Sequence, residues 1–580
     1  MSLGTFSSDK WRPIRITTNY DYFEGIAADT ERCTKIGQIV HDSANNGAAL
    51  TCTEADLLTP ERIKVVKITT QNVINFLSNL LKVRTYLRNI QIDDLEGLVN
   101  KNNENTDLLM VFHSRLSNTF IASAYGDRYE LEYYRPIRGV VNINPKYIPK
   151  AAQNYNDTDN NYFNVILHEI THALGFNSYV FRQFHSYDDS TFYKDPICNI
   201  TKFGRGFSFL VTPYAHIFAK KRFGLDKFVG DDGKSCPSGI ELEDGGGVGT
   251  AGSHLESRTY ESEYMVGSDT GQPTPYLRLT DATLAVLMDS GNYKVNWAKA
   301  VPLVFGHPES INGKPIENFA LNPPEIVLPS NYIANDDADF EFMDLTGFDY
   351  KHLGIGGWFN DSSVNCSESY FGQYCKLKDT YYNPKHKKTI GTQLADFQAY
   401  PSPVKVCPKG QAILPGIITK NPCGEYKCNG YESFEIKVND EIDGIKTIVC
   451  TKENVGKYFN FSALFDGQIR TKRASCPDPE RFCRTMKLTE MNFNKDPLDP
   501  KTLVLEGEPQ APPEWSFDYS DVDDEIKESK RTLIIIISVV CVVIVIIIAS
   551  IIACCVCCIR KKKKSEISET PIEELNERLA

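Results

Sequence analysis

The segment Asn164-Val165-Ile166-Leu167-His168-Glu169-Ile170-Thr171-His172-Ala173-Leu174-Gly175-Phe176 constrains this chain more than any other. Phe163, Val165, Ile166, Leu167, Ile170, Ala173 and Leu174 surround it with apolar side chains, which predicts a largely buried helix. Gly175 stands where a C-terminal glycine would end that helix. On a helix, positions four apart lie on the same face. His168 and His172 therefore present two imidazole nitrogens to one metal ion, and Glu169 sits beside the first of them. Two nitrogen ligands, an open coordination position and a carboxylate to take the proton of a water are what metal-assisted hydrolysis requires. The bland alternative is a core helix with two satisfied histidines.

A catalytic zinc site needs a third protein ligand. In the compact pattern His-Glu-x-x-His-x-x-Gly-x-x-His it would stand at 178, but Ser178 occupies that position. Downstream candidates are His185, His216 and His254, or a carboxylate such as Glu256 or Glu261, which would make the site gluzincin-like. His254 is the strongest. It follows the glycine-rich run 245–249, and the segment Glu263-Tyr264-Met265-Val266-Gly267 comes soon after and can be read as a turn carrying a methionine beneath the metal.

His168-Glu169-x-x-His172-Ala173-Leu174-Gly175-Phe176, a long insertion, Gly252-Ser253-His254-x-Glu256-x-Arg258 and the Met265 turn together resemble the leishmanolysin family of surface metalloproteases, a branch of the metzincin zinc endopeptidases. The resemblance runs from about Trp11 to about residue 480. It implies one catalytic Zn2+ on His168, His172 and His254, Glu169 as general base and Met265 as the turn methionine. It also implies that the strand at Ile137–Ile143 borders the cleft and pairs with extended substrate. Its partners would be protein or peptide substrates, host or extracellular proteins among them. A reading from another class is a catalytically inactive adhesion or receptor ectodomain on a protease scaffold.

The net charge of −12 gives no general electrostatic case for nucleic acid. Residues 533–559 are an almost unbroken run of Ile, Val, Ala and Cys, long enough to span a bilayer. Arg560 and Lys561–Lys564 follow, and acidic residues precede, so the positive-inside rule predicts a single-pass type I protein of the plasma membrane. Residues 560–580 would be cytoplasmic and the remainder outside. A retained span departs from the glycolipid anchor of the best-known leishmanolysins. Met1–Ser8 lacks the basic start and apolar core of a signal peptide, and no pro-segment cysteine is visible. The expectation is therefore a chain that begins near a mature N-terminus.

Of the 17 cysteines, an even set precedes the apolar run: Cys33, Cys52, Cys198, Cys236, Cys366, Cys375, Cys407, Cys423, Cys428, Cys450, Cys476 and Cys483. In an extracellular region these predict six disulfides. Cys541, Cys554, Cys555, Cys557 and Cys558 lie in or at the inner end of the run, and those nearest the basic cluster are candidates for palmitoylation. Sequons at Asn156, Asn199, Asn360, Asn365 and Asn460 are candidate glycosylation sites.

The expected architecture is α+β. Residues 11–178 form the N-terminal catalytic subdomain, with a mixed sheet and the active-site helix. Residues 179–300 form a central insertion carrying the third histidine and the Met-turn, clamped by Cys198 and Cys236. A disulfide-rich, loop-rich C-terminal domain covers 301–495, an acidic stalk 496–532, a transmembrane helix 533–559 and a tail 560–580. Within this frame, Trp11–Thr18, Leu108–Phe112 and Ile137–Ile143 read as strands. Thr69–Val83 reads as a helix, and Cys33 pairs with Cys52. Thr280 caps a further helix that Gly291 ends.

Overall fold

The computed structural model describes residues 6–88, 90–91, 102–103, 105–157, 159–203, 205–247, 249–267, 277–322, 344–355, 358–359, 382–383, 388–390, 402–465 and 467–499, with 531 and 538. The chain divides into two units. One gathers Met1–Asp9, Thr85–Arg88 and Phe517–Ala580; the other, Lys10–Arg84 with Asn89–Ser516, carries the candidate site and the C-terminal module.

A four-stranded mixed sheet organises the N-terminal part. Its strands are β1 (Ile16–Asn19), β2 (Leu108–Ser114), β3 (Ala122–Tyr129) and β4 (Pro136–Ile143). Their spatial order is β1-β2-β4-β3. β1 and β4 run parallel to β2, while β3 runs antiparallel to β4. β2 reads Leu-Leu-Met-Val-Phe and is buried on both faces, as an inner parallel strand must be. Two helices pack here: α1 (Pro60–Leu80) and α2 (Asn161–Ala173).

α1 begins at Pro60, well before the predicted start at Thr69. Thr59 accepts a hydrogen bond from the Arg62 amide and Pro60 occupies the first turn, a start signal that the β-branched run after it obscures. Thr69 and Thr70 are buried inside the helix, and Leu81–Tyr86 is a strand rather than helix. The predicted strand at Trp11–Thr18 is two strands, Phe6–Pro13 and β1. The other two predicted strands are present as β2 and β4, each slightly longer.

The central region adds β5 (Ile197–Lys202), β6 (Arg205–Leu210), α3 (Pro213–Phe223) and β7 (Ile240–Leu242), the strands forming one antiparallel sheet in that order. The expected Cys198–Cys236 clamp joins β5 to the short strand Ser235–Pro237 before β7, and the Cys33–Cys52 pair is also present. α4 (Asp281–Asp289) starts at Thr280, whose hydroxyl accepts from the Ala282 amide, and Gly291 follows it at φ +71° as predicted. One core runs from Ile14 through α2 and the 255–266 loop to α4.

Residues 402–499 are not loop-rich. β8 (Gly424–Asn429), β9 (Ser433–Asp440) and β10 (Gly444–Thr451) form a meander, β11 (Tyr458–Phe465) pairs with β12 (Gln468–Ser475), and α5 (Pro479–Thr489) follows. Phe434, Ile436 and Val438 point inward while Glu435 and Lys437 point out, the period-two pattern of a half-buried strand. Cys407–Cys423, Cys428–Cys483 and Cys450–Cys476 staple this module. Cys366, Cys375, Asn360 and Asn365 lie outside the described residues, as does the 533–559 run apart from Ser538. Among the described residues no helix is long and apolar enough to cross a membrane.

Candidate metal centre

α2 is seated against the sheet at Gly139 of β4. A Cβ there would stand 2.9 Å from the Ala173 Cβ and 3.1 Å from the Tyr125 carbonyl oxygen, so only glycine lets helix and strand approach this closely. The helix starts where the Phe163 amide donates to the Gln153 side-chain oxygen. It ends in the predicted glycine, with Gly175 at φ +109° and the Phe176 amide returning to the Thr171 carbonyl.

The last turns carry His168, Glu169 and His172. The Nε2 atoms of His168 and His172 lie 3.0 Å apart, and His254 Nε2 stands 3.2 Å from the first and 3.1 Å from the second. Each ring is fixed at its other nitrogen. His168 Nδ1 donates to the Tyr264 carbonyl at 2.6 Å, His172 Nδ1 to the Phe176 carbonyl at 2.6 Å, and His254 Nδ1 to the Thr250 carbonyl at 3.0 Å. A carbonyl can only accept, so in each ring the proton of the neutral tautomer sits on Nδ1 and the lone pair on Nε2. Three lone pairs thus converge on one point, an arrangement that repels itself unless a cation occupies the middle. Tetrahedral zinc with bonds of about 2.0–2.1 Å spaces its nitrogen ligands about 3.3 Å apart, so the three imidazoles fit such an ion closely.

Burial favours this neutral form. It drives the His168 pKa down to about 3, with His254 adding to the effect, and that of His254 down to about 4. It lowers His172 far below the usual value, with the two neighbouring rings contributing. Glu169 is buried beside them, and desolvation raises its carboxyl to about 8 against an opposing hydrogen bond with the Ala124 backbone.

The loop that brings His254 into place closes through its own backbone. The Glu243 amide donates to the His254 carbonyl, the Gly252 amide to the Glu243 carbonyl, and the Leu255 amide to the Met265 carbonyl. Ser178, where the compact pattern would put a histidine, instead donates its amide to Ser253 Oγ at 3.2 Å. Met265 is fully buried, and the Tyr264 hydroxyl pairs with Thr171 Oγ1 on α2 at 2.6 Å. Glu263 receives the hydroxyls of Thr280 and Thr283, tying this loop to α4.

The other third-ligand candidates are engaged elsewhere. His185 faces the carbonyls of Tyr133 and Ser186 with its two ring nitrogens, and His216 Nδ1 faces the Ser238 carbonyl. Glu261 faces His352 and Asp349. Glu256 belongs to a second carboxylate group with Glu243 and Asp244, against which Arg205 lies 3.6 Å from Glu256 and 3.5 Å from Asp244.

Sequence reasoning named the wrong strand beside the cleft. β4, the strand at 137–143, has β2 on one side and β3 on the other, so it is interior. β3 is the edge, and its Ala124 meets Glu169. Ala-Ser-Ala-Tyr-Gly-Asp-Arg-Tyr carries little hydrophobic signal; only the spacing of Tyr125 and Tyr129 and the turn before Pro136 hint at a strand.

Three clustered imidazoles, two of them one turn apart on a helix with a glutamate between, define a metal centre of the metallopeptidase type. Residues 2–313 match the leishmanolysin family, and the chain belongs to that family. It is 26% identical over 313 residues to leishmanolysin of Leishmania major, covering 51% of this chain and 46% of that protein. It is 31% identical over 207 residues to a leishmanolysin-like peptidase of Caenorhabditis briggsae, covering 30% of this chain and 29% of that one. A leishmanolysin-like peptidase of Drosophila pseudoobscura pseudoobscura is 30% identical over 202 residues, covering 30% and 27%. The matched stretch thus spans about half of the Leishmania protein and under a third of the other two.

Proposed function

We propose that the chain is a zinc endopeptidase in which His168, His172 and His254 hold the metal and Glu169 is the general base. The observation that carries this reading is the convergence of three Nε2 lone pairs beside one buried carboxylate. When bound, zinc supplies a Lewis acid that polarises the scissile carbonyl, and its charge favours the ionised form of Glu169. Glu169 accepts the proton of the attacking water and returns it to the leaving amine. The free edge of β3 offers main-chain donors and acceptors to an extended peptide and holds it across the site. The carbonyls of Tyr264, Phe176 and Thr250 keep each imidazole in the tautomer that ligates. Met265 packs under the centre as the turn methionine.

The test is hydrolysis of a mixed peptide library by the zinc-loaded chain beside Glu169→Gln. The wild type should cleave, a chelator should abolish cleavage and zinc should restore it. The variant should hold zinc and lose at least about 100-fold in turnover, the lower range for removing a general base. If neither cleaves while both hold zinc, the peptidase reading falls and a binding protein on a protease scaffold takes its place.

The apolar run 533–559 supports a second part of the proposal, a single-pass anchor with 560–580 in the cytoplasm and the glycosylated ectodomain outside. Asn156, Asn199 and Asn460 are all exposed, as sequons in use must be. The full chain should partition into the detergent phase and a chain ending at residue 530 into the aqueous phase; equal partitioning of the two removes the anchor.

A further inference from the structure

At the C-terminal end of edge strand β3 the chain builds an aromatic shelf that the chemistry above does not use. Tyr129, the last residue of β3, stacks on Tyr134 with ring centres 4.6 Å apart and planes 15° from parallel. The Tyr134 hydroxyl donates to the Tyr179 hydroxyl at 3.1 Å, and Phe192 meets Tyr134 edge-on at 6.2 Å. The Tyr129 hydroxyl donates to the Gly126 carbonyl of β3 at 2.8 Å and lies near the Asn177 side chain, so the shelf folds back on the strand and reaches the segment leaving α2. Most of Tyr179 (62%) and much of Phe192 (43%) remain open to solvent, although both are large and apolar in body. Ser178, next to Tyr179, is bonded to Ser253 beside His254. The shelf is therefore continuous with the candidate cleft.

Distance along the strand fixes where on a bound peptide the shelf would act. Ala124 stands at Glu169, and Tyr129 is five residues further along β3, at most about 17 Å at the rise of an antiparallel strand and less through the irregular register opposite Arg138. A peptide paired to that edge advances by the same rise. Its side chains near the scissile bond lie at the metal centre, and those farther along reach the shelf. Aromatic rings pair best with other large apolar or aromatic side chains, edge to face or offset.

We propose that Tyr129, Tyr134, Tyr179 and Phe192 form a distal subsite that takes an aromatic or large apolar side chain of the substrate, three to five residues from the scissile bond. The proposal rests on the peptidase reading, and its test separates the two. Peptides that share one cleavable core and differ only by Tyr or Ala at successive positions would be compared with the zinc-loaded chain for kcat/KM. The same peptides would be compared with Glu169→Gln for binding by fluorescence anisotropy. Tyr should be favoured about fivefold over Ala, the size of one good aromatic pair, at one or two positions three to five residues from the bond and on one side of it. Tyr179→Ala and Phe192→Ala, which truncate exposed side chains and leave the core intact, should each bring that ratio toward one. The subsite is overturned if no such preference exists, if it falls within two residues of the bond, or if both variants keep the wild-type ratio. If no peptide is cleaved but Glu169→Gln binds the Tyr series more tightly and Tyr179→Ala abolishes the difference, the peptidase reading fails and the shelf stands as a peptide-binding surface.

Discussion

Each imidazole of the centre gives its Nδ1 proton to a backbone carbonyl and turns the other nitrogen to the common point. Replacing one ring leaves two lone pairs and a hole. His254→Ala should therefore weaken zinc binding by more than about 100-fold, beyond the range seen for changes in outer-shell partners. Glu261→Gln should leave it near wild type, because Glu261 faces His352 and Asp349. Competition against a chelating dye measures both, and unchanged affinity in His254→Ala would remove it from the ligand set. The pair at i and i+4 was legible from spacing alone. His254, the third imidazole of the cluster, was legible only as one of several candidates, because its loop closes through Thr250, Glu243 and Gly252 backbone groups that leave no periodic trace. A different histidine sets a pH dependence. The His307 ring accepts the Glu309 amide at Nδ1, so it must be neutral there, and burial lowers its pKa to about 3 with Arg222 adding to the effect. The unfolded chain takes up that proton near pH 6.5 and the folded chain does not, so stability rises with pH across this window and is lost as pH falls from about 6.5 toward 3. His307→Asn keeps a capping oxygen without the titration. Its unfolding free energy should fall less steeply on acidification, by up to ~1.4 kcal/mol per pH unit when compared in the same metal state; parallel slopes in urea titrations would exclude this role.

Among the elements, the helix that carries His168 and His172 was the easiest to read and the strand beside it the hardest. α2 announces itself by an apolar surround and a terminal glycine. β3 hides because it is an edge strand of small and polar residues, Ala122, Ser123, Ala124 and Gly126 among them, with little apolar alternation to mark it. α1 was found but started late, since Ile63, Val65, Val66, Ile68, Thr69 and Thr70 read as strand formers until the Thr59-Pro60 start is weighed. The separation of α2 from the sheet is set at Gly139. Gly139→Ala would push a methyl into Ala173 and the Tyr125 carbonyl, and overpacking of this kind costs roughly 1–3 kcal/mol. Ala173 adjoins His172, so the displacement should also reach the centre. We expect lower thermal stability together with weaker zinc binding, while an alanine at Gly206, where a Cβ meets open space, should change neither. Equal behaviour of the two variants would mean that helix and sheet are not in the contact described.

Across the larger unit, α5 is one of the ties between the C-terminal module and the rest of the chain, beside Phe493, which packs on Trp297 and donates its amide to the Ala300 carbonyl. α5 sends Arg484 to Glu309 and Thr485 to the Ser310 carbonyl, and its end receives Arg278 at the Thr489 carbonyl. Phe482 of the same helix stacks on Phe434 of β9 at 3.8 Å, and Cys483 is bonded to Cys428 of β8. The helix therefore belongs to two cores at once: Phe482 and Met486 to the meander, Leu488 to the central region. Counting cysteines made the staples legible but concealed the sheet they fasten, because cysteine density in 366–483 suggested loops where alternation such as Phe434, Ile436 and Val438 specified strands. The Cys428–Cys483 bond closes a span of 55 residues, for which chain entropy gives about 4 kcal/mol of stabilisation. Replacing both cysteines with serine should loosen the meander first, since its hold on α5 then rests on the packing of Phe482 on Phe434 and Tyr426, Met486 in the meander core and Arg484 over Tyr431. Hydrogen exchange should accelerate across β8, β9 and β10 while α2 and β4 keep their protection, because their core runs from Ile14 to α4 without a contribution from the meander. Zinc affinity should accordingly survive the double replacement. Exchange that quickened equally in α2 and in β9 would show instead that the chain between residues 10 and 516 unfolds as one cooperative body, and that α5 couples the two cores too strongly for either to open alone.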